Sequence, residues 1–233
     1  MPITEIQQLL WGWLEKRLDG DSITRLRDQT RHIKKQINPR FFFTAFSLVT
    51  RFVKKDPLDL TAEELAEAHR LAPGWCPKDW QLDEAARACF LLSLPSQNTA
   101  PYIEILNKTF AAADLSESLA LTKALPLLPF AELHLERARL ALRSNIKTVF
   151  NALALNNPYP CRVFDDPTWN QMILKAIFIG TSLNEIYGKA ERANATLKTM
   201  LIDFAREREK AGRPVDPELW QCVELCQQRE VLP

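Results

Sequence analysis

Glycine and the sequence features of β-hairpins are scarce in this chain. Only 6 of its 233 residues are glycine, against 15 proline, and long runs of β-branched residues are missing. The prolines stand mostly between segments of helical apolar periodicity, as at Leu94-Pro95 and Leu128-Pro129, where proline ends one helix or begins the next. Hydrophobic residues make up 46% of the chain, which is enough for a folded core. The sequence therefore predicts a folded, all-α protein.

The chain also lacks a charge excess and a long apolar run. Its formal net charge is +1, whereas binding to nucleic acid or to an anionic membrane normally needs a strong basic excess. No apolar run reaches the roughly 18 residues that span a bilayer. The N-terminal residues Met1–Glu5 do not resemble a signal peptide. We therefore expect no nucleic-acid partner, no membrane-embedded segment and a cytoplasmic location.

Signatures of metals and cofactors are missing as well. The 5 cysteines are an odd number, and in a reducing compartment they predict free thiols. Cys222 and Cys226 can share a helix face, but no histidine lies nearby in the sequence to complete a metal site. Neither of the glycine-rich motifs that bind nucleotide phosphates occurs. The sequence predicts no metal and no cofactor.

Apolar residues recur at helical spacing along most of the chain, and the links between the periodic segments are short. Phe90–Pro95 and Ala124–Pro129 have the same helix-end character and lie 34 residues apart, a spacing typical of stacked helical hairpins. We expect a single domain over residues 1–233, built as an irregular, α-solenoid-like stack of antiparallel helix pairs of the HEAT or TPR kind. Its N-terminal helices would occupy residues 1–80 and a helical-hairpin region residues 81–233.

The expected helix boundaries follow from apolar periodicity, capping residues and prolines. Ser22 is the predicted N-cap of a basic helix that carries Arg25, Arg27, Arg31, Lys34 and Lys35. The other predicted helices are Thr4–Leu18 (ended by Gly20), Pro39–Lys54, a helix after a capping box at Thr61–Glu64, Leu82–Leu94, Ala100–Ala113, Ser116–Leu128, Glu132–Leu155 and Pro167–Ile179.

Polar side chains interrupt the apolar periodicity between Arg137 and Gly180. Asn145 falls on or beside the apolar stripe of its predicted helix, and a buried asparagine needs hydrogen-bond partners. The predicted helix Pro167–Ile179 is apolar on nearly all sides, which indicates a position in the middle of the protein. Asn170 and Lys175 interrupt that helix. This region is where we expect a functional site.

Two aspartates precede the apolar helix. Asp166, directly before Pro167, has the form of an N-cap with proline at the first helical position. Asp165 is then left to pair with Lys175 or with Arg143.

The central stretch of the chain also carries a resemblance to a known family. Its motifs are Asn145–Pro160 (NIKTVFNALALNNPYP), Phe164-Asp165 and Trp169–Ala176 (WNQMILKA), and they resemble the signature of the EboA-domain family. The likeness extends through Glu191–Asn194 and Phe204–Arg208 to Ala211–Arg213, and more weakly back to about Leu92. The family often has histidine at the position of Arg206.

The resemblance implies a bacterial protein that helps to make or move a small secondary metabolite. The family is encoded in gene clusters for the production and export of such metabolites, beside a prenyltransferase-like membrane protein and sugar-phosphate-type enzymes. Other proteins of the same pathway are therefore expected partners.

Our leading hypothesis is non-catalytic binding of a small metabolite between the two helices of this region. Aromatic rings would supply stacking surface, amides would orient the ligand, and Arg143 and Lys175 would hold an anionic group. The candidate ligand-binding residues are Arg143, Asn145, Asn156, Asn157, Tyr159, Asp165, Trp169, Asn170 and Lys175.

Two other functions and a purely structural interpretation stay open. The first alternative is a transferase- or isomerase-type enzyme with Lys175 as base or Schiff-base amine and Asp165 as acid. The second is a helical scaffold for a membrane-associated biosynthetic complex, with the basic helix at residues 25–35 and the rings of Phe41–Phe43 as its surface. In the structural interpretation the polar residues only tie loops to helices.

Overall fold

The computed structural model describes residues 3–35 and 38–231. Within these ranges the chain forms thirteen α-helices, four short 3₁₀ helices and no strand, so the predicted all-α fold is confirmed. None of the helices described is long and apolar enough to cross a membrane. The α-helices are α1 (Ile3–Glu15), α2 (Gly20–Lys35), α3 (Pro39–Ser47), α4 (Ala62–Leu71), α5 (Leu82–Leu91), α6 (Thr99–Ala112), α7 (Leu115–Ala124), α8 (Leu135–Arg143), α9 (Lys147–Ala154), α10 (Tyr159–Val163), α11 (Asp166–Phe178), α12 (Ala195–Lys210) and α13 (Pro217–Val231).

The predicted start of the basic helix is wrong, because Asp19 and not Ser22 caps it. The Asp19 carboxylate accepts a hydrogen bond from the Ser22 main-chain N–H at 2.8 Å, so α2 already begins at Gly20. Ser22 is buried, and its hydroxyl donates to the Phe52 carbonyl at 2.6 Å. Gly20 thus begins a helix instead of ending one.

Two further boundaries give one correction and one confirmation. α3 stops at Ser47 because the chain tightens into a 3₁₀ helix at Leu48–Arg51, well before the predicted end at Lys54.

The capping box before α4 is present as predicted. The Thr61 hydroxyl accepts from the Glu64 N–H at 3.2 Å, and the Glu64 carboxylate accepts from the Thr61 N–H at 3.1 Å.

The chain divides into two compact units, residues 1–139 and 140–233, at a point within α8. We call them the N-terminal unit and the C-terminal unit. The single domain and the solenoid-like stacking of antiparallel pairs stay predictions.

The N-terminal unit is built around α5. All ten residues of this helix are buried, because α1, α2, α3 and α7 contact it. Two of its three ionic side chains, Asp83 and Arg87, pair with each other inside the unit, and the Arg87 Nε also donates to the Phe46 carbonyl at 3.1 Å. The third, Glu84, pairs with Lys123 of α7 at 2.7 Å. Charged groups are tolerated in such a place only when they are paired.

The C-terminal unit consists of the end of α8 and the helices that follow. α12 packs along α13 and contacts α11, and the short 3₁₀ helix Leu183–Glu185 contacts both α11 and α13. The predicted helix Glu132–Leu155 is wrong here, because residues 144–146 interrupt it and separate α8 from α9. In this break the Ser144 hydroxyl accepts from the Ile146 N–H at 3.1 Å, and Ile146 is the N-cap of α9.

Candidate ligand-binding cleft

A cleft of about 540 Å³ lies in the C-terminal unit where the α8–α9 break faces α11 and α12. Its lining residues are Ser144, Asn145, Lys147, Gln171, Leu174, Lys175, Phe178, Ile179 and Phe204. Leu174 and Phe178 are one helical turn apart, so they share a face of α11 and form an apolar wall with Phe204 of α12. The volume falls in the range of roughly 300–1,000 Å³ found for small-molecule sites.

Two lysine side chains make the other side of the cleft positively charged. The Lys147 ammonium donates to the Gly180 carbonyl at 2.8 Å. The Lys175 ammonium donates to the carbonyls of Leu142 at 2.6 Å and Ser144 at 2.8 Å. Because none of the residues that line the cleft is acidic, no carboxylate in the lining neutralises these two cations.

Lys175 also explains why α8 ends where it does. The last carbonyls of a helix lack partners within the helix, and a lysine side chain satisfies them well because it also favours the negative end of the helix dipole. The Nζ of Lys175 lies 5.2 Å from the centre of the Phe150 ring. Partial burial lowers the pKa of Lys175 below its ordinary value. This lysine therefore joins α11 to the α8–α9 break and lines the cleft at the same time.

Of the residues predicted to bind a ligand, Asn145 and Lys175 line the cleft. Asn145 is exposed, because it lies in the break between two helices and not on the buried stripe of one long helix. Its predicted burial is therefore wrong, although it does face the candidate site. Arg143 is exposed at the end of α8, directly before the cleft residue Ser144.

Asn156, Asn157 and Tyr159 hold the loop between α9 and α10. Asn156 has a left-handed backbone with φ of 55°, and its side-chain amide donates to the Glu185 carboxylate at 2.8 Å. Asn157 donates to the Ala152 carbonyl at 3.0 Å and accepts from the Tyr159 N–H at 3.0 Å. Tyr159 is only 1% exposed. These side chains fix the loop and do not belong to the lining of the cleft.

Trp169 and Asn170 are likewise buried away from the cleft lining, on α11. Asn170 and Asn194 exchange two amide hydrogen bonds, of 3.1 and 2.9 Å. The Asn194 side chain also accepts from the Leu197 N–H at 2.9 Å and so caps α12. Trp169 is fully buried, and the guanidinium carbon of Arg192 lies 5.2 Å from its ring centre. This cluster connects α11 to the start of α12.

The predicted N-cap of α11 is off by one residue. Asp165, not Asp166, is the cap, because its carboxylate accepts from the Thr168 N–H at 2.9 Å. Asp166 is the first helical residue and pairs with Arg192 at 2.8 Å. Asp165 and Lys175 consequently lie near opposite ends of the same helix, about 15 Å apart along its axis.

The sequence did not single out Lys147, Gln171, Phe178 or Phe204 as site residues. Phe178 shows why, since it was assigned to a helix in the middle of the protein but is 70% exposed. The sequence alone does not distinguish an apolar residue that the fold leaves exposed from one that it buries. The sequence contains one sign of an amphipathic surface here: apolar Ile146 stands directly before basic Lys147 at the start of a helix.

Fold and cleft together define an all-α protein with a small-molecule-sized cleft. Within residues 3–35 and 38–231, no group of three or more histidine, cysteine, aspartate or glutamate side chains is placed to hold a metal ion. The family model described as "Metabolite traffic protein EboA" matches residues 6–224 of the 233. The chain therefore belongs to the EboA family, as the resemblance indicated. No curated protein and no solved structure matches it.

Proposed function

We propose that this protein binds a small amphipathic metabolite in the cleft, with an apolar body and an anionic group, and holds it without chemical change. The observation that carries the proposal is the combination of an apolar wall with two lysine ammonium groups and no acidic residue in the lining. The description of the EboA family as a metabolite traffic protein supports handling of a small molecule.

The apolar body of the ligand would lie against Leu174, Phe178, Ile179 and Phe204. Burying apolar surface stabilises a complex by about 25 cal/mol per Å², so this wall supplies most of the affinity. Phe178 is largely exposed to solvent, so a ligand that covers its ring removes that apolar surface from water.

The anionic group would lie against Lys147 and Lys175. An ammonium has three donors, and Lys147 uses one of them on the Gly180 carbonyl while Lys175 uses two on main-chain carbonyls. The remaining donors are available to a carboxylate, sulfate or phosphate oxygen, and hydrogen bonds between charged groups are the stronger kind. Lys147 is the more exposed of the two cations and is expected to make the main contact.

Catalysis by Lys175 is a weaker candidate function. The lowered pKa of Lys175 is the one observation that favours it. A lysine that acts as base or as Schiff-base amine must release a proton and approach the substrate. Lys175 instead donates to two carbonyls at the end of α8, and Asp165 lies about 15 Å away along α11. The proposed acid therefore cannot act on the same atom of a small substrate.

The test uses a dansyl-labelled undecanoic acid and its methyl ester, which share an apolar body and differ in charge. We expect the acid to bind with a blue-shifted dansyl emission. Lys147→Met should weaken binding of the acid about tenfold and leave binding of the ester unchanged. Phe204→Ser should weaken both probes, because it removes part of the apolar wall.

The matched control is Trp220→Ser, which removes an exposed aromatic ring of α13 that does not line the cleft. It should bind both probes like the original chain. If Lys147→Met and Phe204→Ser also bind like the original chain, the cleft is not the site and the proposed function is wrong.

A further inference from the structure

Three large apolar side chains are exposed around the mouth of the cleft. Phe178 is 70% exposed, Leu140 62% and Ile146 50%. Phe178 lines the cleft itself, and Ile146 lies between Asn145 and Lys147, which both line it. Leu140 is one helical turn before Ser144, at the end of α8. Exposed apolar residues that gather around one opening indicate a surface that contacts an apolar partner.

Apart from Glu136, which lies one helical turn before Leu140 and pairs with Arg139, the charges around these residues are of one sign. Within residues 140–148 and 171–181, the charged side chains are Arg143, Lys147 and Lys175, three cations without a carboxylate. The whole chain, in contrast, has a net charge of only +1. On α12, next to Phe204, the charges are mixed: Asp203 pairs with Arg206, and Glu207 and Arg208 follow. The cationic character therefore belongs to the side of the cleft mouth that the α8–α9 break and α11 form.

The N-terminal unit has exposed apolar residues in the opposite electrostatic setting. Leu115 is 50% exposed and Leu133 51%. Leu115 stands between Asp114 and Glu117, and Leu133 between Glu132 and Glu136. Acidic neighbours of this kind repel an anionic surface, so these two leucines offer a control of equal size and similar exposure.

We propose that the mouth of the cleft docks onto the surface of an anionic lipid bilayer. This inference rests on the proposed function, because an amphipathic ligand dissolves in bilayers and a protein that carries it has to collect it there. Phe178, Ile146 and Leu140 enter the region of the lipid head groups, and the cations meet the lipid phosphates. This combination of apolar and basic side chains characterises reversible binding in the bilayer interface.

The experiment is sedimentation of the full chain with vesicles of phosphatidylcholine, either alone or mixed with phosphatidylglycerol. We expect binding to the anionic vesicles that weakens with added salt, because salt screens the cations. The variant Leu140→Ser/Ile146→Ser should bind these vesicles at least about tenfold more weakly. The control Leu115→Ser/Leu133→Ser should bind like the original chain.

Both test positions are chosen to keep the fold and the cleft intact. Leu140 and Ile146 do not line the cleft, and serine is a better N-cap than isoleucine at position 146. The variant should therefore bind the dansyl-labelled acid in solution like the original chain. This second measurement separates the two proposals: loss of vesicle binding with unchanged probe binding supports docking, and loss of probe binding with unchanged vesicle binding contradicts it.

Two results would overturn docking. The first is equal sedimentation of the Leu140→Ser/Ile146→Ser variant and the original chain, or of anionic and neutral vesicles. The second is a lipid-free dimer, seen by analytical ultracentrifugation, that the same variant abolishes, because the apolar residues would then be an interface between copies of this chain.

Discussion

The two compact units of this protein satisfy their buried polar side chains in different ways. In the part of the N-terminal unit that the structure describes, the buried polar side chains include six acids, bases or imidazoles: Asp83, Glu84, Arg87, Glu117, His134 and Arg137. In the described part of the C-terminal unit, the buried polar side chains are Asn157, Asn170 and Thr181, all uncharged. The first interior thus contains charged groups beside uncharged ones such as Gln7 and Ser93, which bond each other. The buried polar side chains described in the second are amides and a hydroxyl only.

The difference explains why a cationic cleft occurs in the C-terminal unit. In the N-terminal unit, cations such as Arg87 and Lys123 bind carboxylates, so their charge is already neutralised. Lys147 and Lys175 bind main-chain carbonyls, which are neutral. An ammonium that bonds a carbonyl keeps its net charge, and that charge is available to an anionic ligand or surface.

The largest effect is expected from the buried ion pair of the N-terminal unit. Arg87→Ala leaves Asp83 inside α5 without its cation, which should lower the free energy of unfolding by about 3–5 kcal/mol. Urea denaturation followed by tryptophan fluorescence measures the loss.

The double variant Asp83→Leu/Arg87→Met is the control for this prediction. It should recover most of the loss, because apolar side chains of similar size need no charged partner. If both variants lose the same stability, packing of Arg87 over the Phe46 ring, 5.5 Å away, matters more than charge. The difference between the two units would then lie in side-chain packing and not in the pairing of charges.

The second largest effect is a loss of stability at low pH that His134 of the N-terminal unit causes. Burial, with a smaller contribution from the Arg137 guanidinium, lowers the pKa of His134 from 6.5 to about 4. The unfolded chain therefore takes up this proton at higher pH than the folded one. The stability is fully present above about pH 6.5 and falls by about 3 kcal/mol as the pH drops to 4.

Urea denaturation at pH 7 and near pH 4 tests this dependence. His134→Gln should remove most of it, because glutamine has no proton to gain. The buried Asn157, Asn170 and Thr181 of the C-terminal unit do not titrate in this range. An equal acid-induced loss in His134→Gln and in the original chain would show that other groups carry the effect.

Apolar periodicity predicted helices in the regions of α1 to α9 and of α11, but not the way in which they end. Asp19 and Ser22, three residues apart, are both good N-caps, and so are the adjacent Asp165 and Asp166. Which of them acts depends on which side chain reaches the free N–H groups, and that geometry is set by the fold. The break at residues 144–146 could not be foreseen, since Lys175 from another helix binds the carbonyls that the break frees.

The search for polar residues on apolar faces found the right region but mixed two kinds of residue. Lys175 and Asn145 line the cleft, whereas Asn157 and Asn170 bind other parts of the C-terminal unit. Both kinds interrupt a helical pattern in the same way. The sequence does not separate them, because the fold decides the partner of each side chain: Asn157 bonds Ala152 five residues away, whereas Lys175 bonds Leu142 of another helix.

The smallest effect concerns Asn170, and it tests the amide-bonded interior directly. Asn170→Ala removes both hydrogen bonds to the Asn194 amide, which should lower the free energy of unfolding by about 1–3 kcal/mol. Asn194→Ala should lose more, because it also removes the cap of α12.

Binding of the dansyl-labelled acid should be unchanged in folded Asn170→Ala protein, because Asn170 does not line the cleft. The opposite result, normal stability with lost binding, would make Asn170 a ligand contact, as the sequence first suggested. The amides of the C-terminal unit would then serve the ligand and not the interior, and the contrast with the ion-paired N-terminal unit would no longer explain the cationic cleft.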